Sequence, residues 1–500
     1  MNQNQQLYEK KTKKRKLAAF SELISINLGW GASLAIGLIL LLSAAGNGFA
    51  MNGTLLFALI YLVSAAIIFA VAAMMKKEIL SENQLSKRVR SLGYICILML
   101  ATGNIFAAIG GFQLIRKYRP IEYTMAYFAF IANAVIILLS TINMFKQYVA
   151  NLFSVGMILL FVFLVFYAFA MVMIQKHGET SYRRLKLTAV ISLVCAASGN
   201  IFALLLGLII LTKIRNEGSH KTVGWIDVVS RMFRNYMAAM GVLIVGVLLM
   251  LALCSYFTFD YAYAIDNDYS AIVLQPSMEY PFGTDAYGRC VYTRIAFGSR
   301  ISLIIGMIST AIPIVIGGVL GAVAGYYSER TDNVVMRALD VLYAVPSTLL
   351  TIAIVAAFGA STMNLIIALS ISNIPVYART MRAQVMVVGN SEFVEAARAC
   401  GRRKHEILFQ HIIPNSLAPM IVRASLSIGV AVLSTSSLSY LGLGVEPHIP
   451  EWGSILKGGS QYLETNPYLA IFPGLAIILV VLAFNFIGDG LRDALDPKLK

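Results

Sequence analysis

The chain is 500 residues long, 58% hydrophobic and only 13% charged. Soluble domains carry roughly a quarter charged residues, so this balance excludes an ordinary soluble globule and points to an integral membrane protein. The net charge of +15 does not call for nucleic acid, because excess Lys and Arg in a polytopic protein mark cytoplasmic loops, as the run KKTKKRK at 10–16 does.

That run precedes an apolar stretch without a small-residue cleavage site, so no cleaved signal peptide is expected. A polybasic contact with membrane lipid is a secondary reading. A hydrocarbon core about 30 Å thick needs roughly 20 apolar residues per helical span, and helices rather than barrel strands suit this chain. Apolar segments fall at 28–45, 54–75, 91–115, 124–142, 152–174 and 187–212. After the polar stretch TKIRNEGSHKTVGWIDVVSRMFRN at 212–235, six more fall at 237–258, 300–326, 338–358, 363–388, 417–443 and 468–488. The expected organisation is an N-terminal membrane region at 1–215, a cytoplasmic linker at 216–236 and a second membrane domain at 237–500. The fold class is all-α and polytopic.

The first region contains a repeat. LGYICILMLATGNIFAAIGGFQLIRKYR at 92–119 aligns with TAVISLVCAASGNIFALLLGLIILTKIR at 188–215, with ten of 28 positions identical and GNIFA whole in both. Residues 1–215 therefore read as two units, each of two apolar segments and a GNIFA segment. Two topologies compete. A straight span places Arg116–Arg119 and Lys176–Lys186 outside, against the positive-inside tendency. A re-entrant hairpin turning at Gly-Asn keeps them inside, but each segment is long enough to cross as one helix. The region reads as a scaffold or as a module recruiting another membrane protein. Its few ionisable groups favour the scaffold.

In the second half, basic residues place 216–236, 327–337 and 389–416 in the cytoplasm, with 259–299 outside and both termini inside. The five cysteines are scattered, with no metal-ligand spacing, and no metal site is expected. The loop at 389–416 contains SEFVEAARACGRRKHEILFQHIIP. Ser391 or Asn390 can cap a helix that carries Glu392 and Glu395 near its positive end. Phe393, Ala396, Ala397 and Cys400 share a face at helical spacing, and Gly401 is a natural stop. A second turn, His405 to His411, runs to Pro414, where the chain re-enters the membrane. A solvated positive-inside loop is the bland reading; a small-residue docking helix is the sharper one.

Glu395-Ala396-Ala397, then Gly401 and Pro414, resembles the EAA loop of bacterial ABC importer permeases. His411 departs from that pattern. FGTDAYGRCVYTRIAFGSRISL at 282–303 resembles the GTDxxGR lead-in to the second span of C-type oligopeptide and dipeptide permeases, with Cys290 in place of a common acidic residue. LSYLGLGVEPHIPEWGSIL at 438–456 and FPGLAIILVVLAFNFIGDGLRDALDP at 472–497 are similar too. The resemblance covers about 225–500 and implies a six-span type I importer domain; it says nothing of the repeated region of six apolar segments at 1–215, which lies outside the family's usual pattern. It implies that Glu395, Ala396, Ala397, Gly401 and Pro414 dock in an ATPase groove. Asp285, Arg289, Arg294 and Arg300 are candidates for an outer-interface polar network, against a simpler role in anchoring and turn formation. Asp489, Asp493 and Asp496 read as helix-end residues, and Arg423 as a cation snorkelling inward.

No GxxxxGK[ST] occurs, so ATP and Mg are expected on partner ATPases and no cofactor on this chain. The implied partners are a B-type permease, two ATP-binding subunits and an extracytoplasmic substrate-binding lipoprotein in a bacterial plasma membrane. Peptides are the expected cargo, with nickel or another small solute as the alternative. A self-contained secondary transporter would show polar residues mid-span, and a membrane enzyme would show convergent catalytic groups; neither pattern is apparent.

Overall fold

A computed structural model of the chain describes residues 21–46, 53–82, 85–99, 104–115, 120–177, 182–216, 224–446 and 448–496. Among these every regular element is helical, with one isolated β-bridge between Thr284 and Cys290. Seven helices are long and apolar enough to cross a membrane. The basic run at 10–16 lies outside the described residues. Contacts divide the chain into one compact unit of residues 1–127 and 168–185 and another of 128–167 and 186–500. This partition by contact differs from the partition by sequence repeat at 215.

The first unit is built from α1 (Ser21–Gly46), α2 (Gly53–Glu82), α3 (Lys87–Leu98) and α4 (Ile105–Ile115). Ile26, Ile68, Met75, Ile79, Cys96 and Leu114 form its core. Helices α5 (Ile121–Thr141) and α6 (Phe153–His177) give residues to both units. The second unit continues with α7 (Lys186–Cys195) and α8 (Ile201–Arg215).

Neither GNIFA segment is one straight helix. Each is a pair of short antiparallel helices, α3 with α4 and α7 with α8. A helix of 12 residues rises only about 18 Å, too short for the hydrocarbon core. The structure therefore favours the hairpin topology. In the second copy Gly199 sits at φ +84°, and Asn200 caps α8 through Oδ1, which accepts from the Phe202 and Ala203 amides. The arms touch at glycine: a Cβ on Gly111 would lie 2.5 Å from the Gly93 carbonyl, and one on Gly207 2.9 Å from that of Ala189. The two asparagines also reach equivalent places. Asn104 Nδ2 donates to Ser33 Oγ at 2.9 Å, and Asn200 Nδ2 to the Ala129 carbonyl at 3.1 Å. Positions 33 and 129 are separated by the repeat offset of 96.

The rest of the second unit comprises α9 (Gly224–Met232), α10 (Tyr236–Thr258), α11 (Val291–Tyr326), α12 (Glu329–Tyr343), α13 (Ser347–Phe358) and α14 (Thr362–Val388). There follow α15 (Glu392–Ala399), α16 (Lys404–Leu441), α17 (Trp452–Ser460) and α18 (Tyr468–Leu495). The expected span at 338–358 is broken at Pro346, so α12 and α13 meet at 77°. Helix α10 receives the second repeat directly: Ser140 and Asn143 bond Thr258, and Cys254 donates to the Ser198 carbonyl.

The closest helix pair in this unit is α11 with α14. Cβ atoms on Gly317, Gly321 and Gly325 would lie 2.7, 2.1 and 2.9 Å from the carbonyl oxygens of Ile374, Ala378 and Arg382. Both series advance by four residues in the same direction, so the helices run parallel along a continuous small-residue stripe. Replacing Gly321 with Ala should push the helices apart and lower stability by about 1–3 kcal/mol. Thermal unfolding of the detergent-purified protein reads this, with the outward-facing Gly474→Ala, which meets nothing closer than 4.0 Å, as control.

Candidate functional site

Three features of the second unit bear on function. At one end lies α15. Its first turn carries Glu392 and Glu395, placed favourably at the positive end of the helix. Ser391 holds the N-cap position but makes no side-chain capping bond. At the other terminus the Gly401 amide donates to the Arg398 carbonyl and the Arg402 amide to that of Ala397. With Gly401 at φ +74°, these bonds make a Schellman stop.

The face expected from Phe393, Ala396, Ala397 and Cys400 divides in the fold. Val394 is fully buried and Ala397 packs with it against Ile407, Leu408 and Ile412, while Phe393, Ala396 and Cys400 are exposed. The reason is the lever of apolar contacts from α11, α14 and α16: Ala322, Tyr377, Met381, Val385 and Met420 form the same cluster. Arg398 reaches over the Tyr326 ring, 5.7 Å from its centroid. Helix α15 is thus anchored on one side and offers Glu392, Glu395, Ala396 and Ala399 on the other.

The chain is helical through Pro414, from Lys404 to Leu441. A π-turn at Leu408–Ile412 widens the ladder before the proline, which cannot donate a bond. The Asn415 amide then donates to the His411 carbonyl at 2.6 Å and Ser416 Oγ to that of Ile412 at 2.9 Å. The His411 Nε2 atom is buried and has no hydrogen-bond partner.

At the opposite end of α11, the sequence GTDAYGR folds as a tight turn. Asp285 Oδ1 accepts from the Tyr287 and Arg289 amides, and Oδ2 accepts from Arg289 Nε at 2.8 Å. Gly288 is required twice, by φ +76° and by a backbone 1.8 Å from where its Cβ would lie. Arg294 is 2% exposed; it donates to the Ala264 carbonyl, and its Nε lies 3.7 Å from Asp285 Oδ2. Arg300 stands apart from this network, over the Tyr256 ring at 4.5 Å. Beside the turn, Ser270 bonds hold the Asp268 carboxyl below the usual carboxylate range. Buried Cys290 neighbours Lys146, whose ammonium is pushed down by burial and which donates to Thr293 Oγ1 at 2.5 Å. A cavity of about 520 Å³ lies next to Asp285, Arg289, Arg294 and Lys457.

Between the two ends α11, α13, α14 and α16 enclose a second cavity of about 560 Å³. Its wall carries hydroxyls from all four helices: Ser309 and Thr310, Ser347, Thr348 and Thr351, Ser372, and Ser427, Ser434 and Ser437, with Asn373, Tyr377 and Arg423. The sequence expectation of spans without mid-span polar groups missed this wall. Serines and threonines scattered over four helices show no linear motif. Glu451 ties α11 to α16: it caps α17 through the Ser454 amide and accepts from Ser302 and Ser436, while Trp452 Nε1 donates to the Ile295 carbonyl at 3.0 Å.

Residues 317–500, which include α14, α15, α16 and the Glu451 fastening, match the family model described as binding-protein-dependent transport system inner membrane component. The dipeptide transport system permease protein DppC of Alkalihalophilus pseudofirmus is 42% identical over 276 residues, 55% of this chain and 90% of that protein. The chain belongs to this binding-protein-dependent permease family. The glutathione transport system permease proteins GsiD of Pectobacterium atrosepticum and Escherichia coli are each 41% identical over 276 residues, covering 92% and 91% of their lengths. The permease is thus a multi-pass membrane transport subunit and not a catalytic enzyme. Its alignments with these relatives leave a little under half of the chain uncovered.

In this permease, removing the Asp285 carboxylate strands the buried Arg294 cation. Asp285→Ala should cost about 3 kcal/mol, and Arg294→Met in that background should recover part of the loss. A double-mutant cycle by denaturant unfolding checks this, and additive effects would exclude the coupling.

Proposed function

We propose that this chain is the C-type permease of an ATP-driven importer for dipeptides or short oligopeptides. The observation that carries the reading is α15, an EAA helix anchored by Val394 and Ala397 with its small, acidic face left open. The DppC and GsiD relatives support peptide cargo. ATP and Mg are bound by two partner ATPases, a B-type permease completes the channel, and an extracytoplasmic lipoprotein delivers substrate. The α15 end and both termini face the cytoplasm of a bacterial cell.

In this mechanism Ala396 and Ala399 let a partner's backbone approach, while Glu395 fixes register. Closure of the ATPases displaces α15. The displacement passes through Val394, Leu408 and Ile412 to the ends of α11, α14 and α16, which bound the hydroxyl-lined chamber. Serine and threonine hydroxyls there can exchange hydrogen bonds with a peptide backbone as it passes, as water does outside.

The test is reconstitution of the complete transporter in vesicles, with peptide uptake and ATP hydrolysis read together. Glu395→Lys and Gly401→Val should lower uptake by about tenfold or more, the first by reversing an interface charge and the second by straining the αL stop. A Cβ at 401 meets no atom within 4 Å, so the strain comes from the backbone at φ +74°. Full uptake by both variants overturns the coupling role; nickel uptake in place of peptide reassigns the cargo.

A further inference from the structure

The chamber holds one cation. Arg423 lines it from α16, and among the described residues it has no ion-pair partner. On the facing wall Tyr377 is 1% exposed, its hydroxyl makes no hydrogen bond of normal geometry, and its polar neighbours are Ser427 and Arg423. A buried phenol whose nearest partner, the Ser427 hydroxyl, is poorly aligned keeps donor capacity for a ligand. The rest of the wall is hydroxyl and amide, suited to a peptide backbone but without a charge to meet a carboxylate.

We propose that Arg423, with the Tyr377 hydroxyl, binds the carboxylate terminus of the peptide in transit; this rests on the peptide-importer reading above. Arg423 offers a fork of N–H donors that matches the two carboxylate oxygens, and Tyr377 adds a third donor. Ser309, Thr351 and Ser372, further along the same wall, are left to the peptide's backbone and N-terminal part. A carboxylate entering the cavity loses part of its water, so the Arg423 cation on the cavity wall lowers the barrier for free peptides over those with a blocked C-terminus. A purely topological role for Arg423, a positive charge held near the cytoplasm, makes no such distinction and is met equally by lysine.

The test uses the complete reconstituted transporter, as wild type, Arg423→Gln and Arg423→Lys. A dipeptide and its C-terminal amide are each supplied at a concentration giving equal occupancy of the binding protein. Uptake is scored per assembled complex and per ATP hydrolysed. The wild type should prefer the free carboxylate by about tenfold, the value of one charge-assisted bidentate contact. The preference should fall towards one in Arg423→Gln and be only partly restored in Arg423→Lys, which keeps the charge but not the fork. Equal handling of the two peptides by the wild type, an unchanged preference in Arg423→Gln, or full equivalence of Arg423→Lys overturns the assignment. Absence of any peptide uptake by the wild type, with ATP hydrolysis driven by another loaded solute, instead overturns the peptide reading.

Discussion

The second unit depends on how closely α11 and α14 approach. Two helices in lipid gain nothing from hiding apolar surface from each other, because lipid tails are as apolar as leucine. What they gain comes from dispersion contact, and that requires the backbones to meet. Gly317, Gly321 and Gly325 allow this by setting α11 directly on the carbonyls of Ile374, Ala378 and Arg382. The stripe makes these helices one plate. One edge of the plate lines the chamber through Ser309, Thr310, Ser372 and Asn373. Its end carries Ala322, Tyr377 and Val385 into the cluster that seats α15. A push on α15 therefore meets a stiff body.

Legibility in the sequence followed the locality of each signal. The EAA helix and its stop could be read because Glu395, Gly401 and their cap are within ten residues, and φ +74° at Gly401 is what a Schellman stop demands. Which face of that helix is buried could not be read. Phe393 is the most apolar residue on it, yet Val394 is the one covered, since the choice is made by side chains on α11 and α14. The glycine stripe is visible in GGVLGAVAG at 317–325, but its partner atoms are backbone carbonyls with no sequence signature. The chamber wall was hidden for a related reason: it takes between one and three serines or threonines from each of four helices. Arg423 reads as a snorkelling cation from its place in one helix, and its position on the chamber wall comes from packing alone.

The GNIFA repeats show the same limit from another side. Length permitted a straight span and charge favoured a hairpin, and sequence alone gave no reason to choose. The deciding pieces are Gly199 in the left-handed region, Asn200 capping the returning helix, and the glycine contact between arms at Gly93–Gly111 and Ala189–Gly207. Asparagine serves twice in each copy, as cap and as a bridge to the preceding long helix. The bridge satisfies a polar side chain that would otherwise be stranded away from water. This explains why Gly-Asn, and not a polar loop, can turn a chain within apolar surroundings.

Helix α16 joins the two ends of the unit. Its 38 residues rise about 57 Å, from the charged Lys404 beside α15 to Leu441 beneath the Glu451 fastening. A proline near its start would ordinarily break such a rod. The π-turn at Leu408–Ile412 absorbs Pro414, and Asn415 and Ser416 satisfy the carbonyls of His411 and Ile412. The result is a long helix with a π-turn beside the cluster that seats α15. At the far end Glu451 ties it to α11 through Ser436 and Ser302. The helix is thus pinned at one end by a buried carboxylate and interrupted near the other by a π-turn at its proline.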